Sequence, residues 1–237
     1  MIHHFRTALL LTTSAIITGV VTSGEAAAGE WQGNIEGEYL WFADDALFPQ
    51  QENDYWSGAI EPEFYHEWND GYDVFNAKVF YRVDEYDEER THGDIRELAW
   101  LHAAEDWELN VGISKVFWGV TESIHLVDII NQSDLVENID GEDKLGQPMV
   151  NLSLIRDWGV VSMFVLPVFR ERTFPGVKGR PRFGFPIDTD NALFESSAEE
   201  NHIDLAIRYS HYIGEWEFGL AHFAGTSREP RLARLSP

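Results

Sequence analysis

The residues with chemistry to offer are charged side chains that recur at every second position. Glu61 and Glu63, Lys78 and Arg82, Arg96, and Asp204 with Arg208 each alternate with apolar neighbours. Such spacing sets them on one face of extended chain, so that rows of acids and bases face a common space. In a water-filled channel these charges cost little, and facing rows of opposite sign create a field that sorts solutes by charge. These seven residues are the candidate interior, solute-contacting set.

Two further groups lie between the alternating segments. The stretch 118–148 carries Trp118, Gly119, Asp128, Asn131 and Asp134, followed by Glu137, Asp140, Glu142 and Asp143. It is too long for a simple turn. The plain expectation is a solvated acidic external loop; the alternative is an inward fold that constricts or plugs. Asn138-Ile139-Asp140-Gly141 hints at a calcium loop, but Val136 and Gln147 stand where ligands are required, so no metal is expected. The stretch 170–200 is basic at its start, with Arg170, Arg172, Lys178, Arg180 and Arg182 against Glu171 alone. That cluster suits an anionic solute or lipopolysaccharide phosphates, or pairing with Asp84, Glu85, Asp87, Glu88 and Glu89.

The elements that must position these groups are strands. In 55–68, Trp56, Ile60, Phe64 and Trp68 oppose Ser57, Glu61, Glu63 and Glu67; in 107–117, Trp107, Leu109, Val111 and Ile113 oppose Glu108, Asn110, Gly112 and Ser114. Period two of this kind predicts nine strands, over 31–42, 55–68, 72–83, 93–103, 107–117, 149–156, 159–169, 201–213 and 215–225. Strand 93–103 is the least regular, since Leu98, Ala99, Trp100 and Leu101 run together. Short and long connections alternate strictly, which puts all long loops at one end of a meander. That is the pattern of an antiparallel, up-and-down transmembrane β-barrel.

Tryptophan placement agrees. Trp31 and Trp41 bracket the first expected strand, Trp56 and Trp68 the second, Trp107 and Trp118 the fifth, and Trp158 and Trp216 sit at turns. Eleven residues at ~3.3 Å, tilted ~40°, rise roughly 28 Å, close to the ~25 Å apolar band of a barrel wall. Trp31, Trp41, Trp56, Trp68, Trp107, Trp158 and Trp216 are therefore the expected aromatic girdle, where an apolar ring with a polar N–H meets the headgroups.

The remaining composition excludes other classes. The 237 residues hold 17 Lys+Arg against 41 Asp+Glu, a net charge of −24, and no cysteine. A chain so acidic is no general nucleic-acid binder, and without cysteine it has no disulfide, zinc–thiolate or thiol chemistry. Residues 1–28 read as a cleaved secretory leader: Arg6 precedes an apolar run from Ala8 to Val21, then Ala26-Ala27-Ala28, a run too short to span a bilayer as a helix. This leaves 29–237 as the barrel. No cofactor is expected. Nor is catalysis: no G-x-S-x-G elbow occurs, and His66, His102, His202, His211 and His222 are scattered.

Val111-Gly112-Ile113-Ser114-Lys115-Val116-Phe117-Trp118-Gly119, followed by Leu126 to Asp134, resembles a pattern in large, poorly characterised, porin-like outer-membrane barrels of Gram-negative bacteria. In that pattern a strand ending in Trp-Gly leads into a long loop with Asp, Asn and Asp; the arginine that usually precedes the strand's apolar end is absent here. The resemblance implies location in the cell outer membrane, contact with its lipid and lipopolysaccharide, and passive passage of small hydrophilic solutes. It implies neither an oligomeric state nor a particular solute. Binding or adhesion through the long loops is the alternative. Barrels of that group are longer and normally end on an aromatic strand, so an N-terminal part of a larger barrel is expected here, or a non-functional truncated product.

Overall fold

The computed structural model describes residues 9–16, 29–119 and 127–233. Ten strands form one sheet: β1 Leu9–Ile16, β2 Glu30–Trp41, β3 Asp54–Trp68, β4 Asp73–Asp84, β5 Gly93–Ala103, β6 Trp107–Ser114, β7 Gln147–Arg156, β8 Gly159–Leu166, β9 Asp204–Ile213 and β10 Trp216–Ala224. Spatial order is chain order, each strand pairing antiparallel with the next. The protein is thus an all-β, up-and-down sheet, and β2–β10 are the nine expected strands. Among the described residues nothing pairs β10 back to β1 or β2, so the sheet is open.

β1 lies inside the segment read as a leader and pairs with β2 from Leu9 opposite Trp41 to Ile16 opposite Asn34. The rest of 1–28 lies outside the described residues.

Several boundaries moved for local reasons. β5 is irregular because the β4 pairing shifts between Lys78 and Val79; the extra residue breaks the parity of the run that follows. β6 stops at Ser114, since the Val116 N–H is taken by the Asn131 side chain at 2.8 Å. β8 ends at Leu166, immediately before Pro167, which has no N–H to give the ladder. β9 starts at Asp204 because Glu199–Asn201 form a 3-10 turn first.

The pairing register divides the sheet into two faces. One carries Ile35, Ile60, Tyr81, Val79, Ile95, Val111, Val150, Val165, Leu205 and Leu220, all exposed. Its charged positions are confined to strand ends, at Asp54, Asp73 and Arg156. Trp31, Trp41, Trp56, Trp68, Trp158 and Trp216 are exposed on it or at its margins, and Trp107 is half-buried there. The opposite face carries Glu36, Glu38, Ser57, Glu61, Glu63, Lys78, Arg82 and Arg208. Trp118 departs from the expectation that it brackets the fifth strand. It is buried with Ile130, Met149, Phe164, Leu166 and Ala206 in a small core between the polar face and the chain that crosses it.

Candidate functional site: a charged interior fastened to an inward loop

Over residues 127–146 the loop after β6 is largely covered, with Val127, Asn138, Ile139, Asp140 and Glu142 exposed. Ile130 to Val136 are all buried. The loop crosses the polar face of the sheet, and Gly146 passes so close to β5 that a Cβ there would lie 2.1 Å from the Ile95 carbonyl. The solvated external loop is therefore corrected to an inward strap.

Asp128, Asn131 and Asp134 make the strap, and their spacing now has a reason. Asp128 accepts the backbone N–H groups of Trp118 and Gly119. Asn131 donates to the carbonyls of Ser114 and Leu145, at 2.8 and 2.9 Å, while accepting from Val116. One side chain thus ties both ends of the loop together. Asp134 reaches the wall: its carboxylate takes Arg96 at 2.8 Å, His92 at 3.3 Å and the Thr173 hydroxyl at 2.6 Å.

Asp134 is fully buried. Burial works against its charge, but the His92 hydrogen bond and the Arg96 guanidinium outweigh that and hold its carboxyl below the usual range. Burial likewise opposes the His92 imidazolium; the bond and charge of Asp134 prevail and raise it.

Arg82 is the second anchor. It is 2% exposed and paired with Glu36 at 3.3 Å, Glu38 at 3.2 Å and Glu137 of the strap. Arg90 joins the same cluster through Glu38 at 2.7 Å and Asp84 at 3.1 Å. Asp94 is the third hub, taking Arg170 at 2.7 Å, Arg96 at 3.7 Å and the Gly146 N–H.

The seven interior candidates separate accordingly. Arg82 and Arg96 face inward but are sealed beneath the strap, and Asp204 is fully buried with Arg228 at 2.7 Å and His202 at 2.7 Å. Glu61, Glu63 and Lys78 remain open to water as one cluster, with Lys78 3.4 and 3.3 Å from the two carboxylates. Arg208 stands apart, 3.9 Å from Glu217.

The basic loop is dispersed rather than clustered. Arg170 serves Asp94; Arg172 takes Glu229 at 2.7 Å and the Gln132 amide oxygen at 3.1 Å. Arg180 bonds Asn53 at 2.8 Å and the Asp44 carbonyl, over the Phe42 ring. Arg182 bonds the Val177 and Phe183 carbonyls over Phe48. Of these five cations only Lys178 turns to the acidic segment 84–89 among the described residues, 3.8 Å from Glu88, while the Gly176 N–H donates to Asp87. Pairing with that segment as a whole is therefore corrected to anchoring across several loops.

Sequence reasoning missed Glu36, Glu38, Arg90, His92, Asp94 and Arg228. The first two were detectable by the same alternation, since they interleave with Ile35, Gly37 and Tyr39. The others take their roles from partners distant in the chain. Comparisons with protein-family models, curated proteins and solved structures found no match to this chain.

Proposed function

We propose that this chain is the wall of a porin-like channel in the outer membrane of a Gram-negative bacterium, exported through a cleaved leader and passing small hydrophilic solutes. One observation carries the reading: the sheet has an exposed face whose charges sit only at strand ends, backed by a face crowded with ions. In water that arrangement is inside out; in lipid each face meets its proper solvent. Open edges are not tolerated in hydrocarbon, so in this reading, with the leader and its β1 removed, the edges at β2 and β10 join further wall strands. The strap narrows the opening, and the Glu61–Lys78–Glu63 cluster lines the remaining passage.

Planar-bilayer recording of the full gene product tests this. Discrete steps that scale with salt concentration are expected; silence at every voltage refutes a channel. A second reading, binding through external loops, rests on Leu47, Phe185 and Leu193, which are exposed in the long loops. In that case deleting 184–195 abolishes partner binding and leaves conductance unchanged.

A further inference from the structure

Between the strap and the polar face lies a cavity of about 190 Å³, lined by Glu36, Glu61, Arg96, Lys115, Glu137 and Asp143, with Phe80 and Asn34 beside them. At ~30 Å³ per water it holds about six waters. It is smaller than the ~300–1,000 Å³ of pockets for drug-sized ligands. Its occupant is therefore a solute of few heavy atoms.

Most of the lining charge is already compensated. Glu36 and Glu137 are held by Arg82, Glu61 by Lys78, and Arg96 by Asp134 and Asp94. Two groups are not. Neither the Lys115 ammonium nor the Asp143 carboxylate has a hydrogen bond or ion pair among the described residues. Among the described residues the hydrogen bond of Asp143 is made by its backbone carbonyl, which accepts from the Asp134 N–H at 2.8 Å.

We infer that this cavity is a docking site for a small zwitterion, with the solute's anionic group at Lys115 and its cationic group at Asp143. A simple anion leaves Asp143 uncovered, and a simple cation leaves Lys115 uncovered. A solute with both charges completes the two unmade pairs, and charge-assisted hydrogen bonds are the stronger kind. Burial, then the charge of Glu137, already raises the Asp143 carboxyl; a bound ammonium group reverses that strain. The inference rests on the channel reading, because the cavity faces the proposed passage.

The test uses the full chain refolded in detergent and three small probes: glycylglycine, N-acetylglycine with only the anion, and glycylglycinamide with only the cation. Binding is followed by ligand-detected saturation-transfer NMR, and conductance is recorded separately. Glycylglycine is expected to bind at least about tenfold more tightly than either single-charge probe. Lys115→Met should erase its advantage over glycylglycinamide, and Asp143→Asn its advantage over N-acetylglycine. Lys115→Arg and Asp143→Glu should restore both, which guards against loss of fold. Equal binding of all three probes, or wild-type selectivity in both neutral variants, overturns the site. Conductance without selective binding sinks this inference alone. Selective binding without conductance sinks the channel reading alone.

Discussion

Asp134→Ala should release the strap. The side chain is fully buried and serves three partners on three different segments: Arg96 of β5, His92 of the loop after β4, and Thr173 of the loop after β8. Removing one member of a buried pair costs ~3–5 kcal/mol when the other charge is left alone. Arg96 is not left alone, since it keeps the Lys144 carbonyl at 2.8 Å and Asp94 at 3.7 Å. The expected loss is therefore nearer ~3 kcal/mol, which raises the open fraction of the strap roughly 10²-fold. Limited proteolysis reads this directly. Trypsin should cut after Lys144, and a glutamate-specific protease after Glu137 and Glu142, at rates increased by about that factor. Arg96→Met should lose less, because His92 and Thr173 still hold the carboxylate. The double variant should be less damaged than the sum, by ~0.5–3 kcal/mol. Wild-type cleavage rates in Asp134→Ala would show that the strap is held by its apolar side, at Ile130 and Trp118, and not by its charges.

Three other outcomes are expected. The His92–Asp134 pair gives the strap a pH window. Asp134's contribution is lost as pH falls through its lowered carboxyl pKa, below the ordinary ~3.9, and His92's is lost as pH rises through its raised imidazole pKa, above the ordinary ~6.5. Strap proteolysis should be slowest between these limits, and His92→Gln should remove the alkaline rise only; an unchanged alkaline limb refutes the assignment. Leu152 and Asn151 are adjacent on β7 and point to opposite faces. Leu152→Lys should cost ~2–4 kcal/mol of folding into lipid vesicles and Asn151→Lys at most ~1, measured by urea titration; equal costs would mean the faces are misassigned. Gly112 sits at φ +140°, where an added Cβ would lie 2.2 Å from the Leu98 carbonyl. Gly112→Ala should prevent β5–β6 pairing, seen as loss of heat-modifiable migration on a gel.

The wall was legible in the sequence because its information is local. Alternation of Trp107, Leu109, Val111 and Ile113 with polar neighbours needs no partner to be recognised, and register follows once one face is apolar. Boundaries slipped where a single atom decided them, as with the missing N–H of Pro167. The strap was not legible for the opposite reason. An acidic run reads as solvated unless its counter-ions are known, and those of Glu137 and Asp134 lie on Arg82 and Arg96, 55 and 38 residues away in the chain. The Asp128, Asn131 and Asp134 spacing stood out as a pattern, but nothing local says what those side chains hold. Trp118 misled in the same way: its position bracketed the fifth expected strand, and only the path of the chain after it put it inside.

The strict chain order of the sheet also fixes a sequence of assembly. Each strand pairs with the one made just before it, so the sheet can grow strand by strand, with the long closures between β6 and β7 and between β8 and β9. The strap follows that schedule only in part. Its carboxylates require arginines from β4 and β5 already in place, and Thr173, Arg170 and Arg172 arrive only after β8 is complete. Chain 127–146 can therefore be fastened to β4 and β5 early, and is completed only when those three residues arrive. An intermediate that stalls before β8 would hold the strap through Arg82, Arg96 and His92 but without Thr173, Arg170 and Arg172.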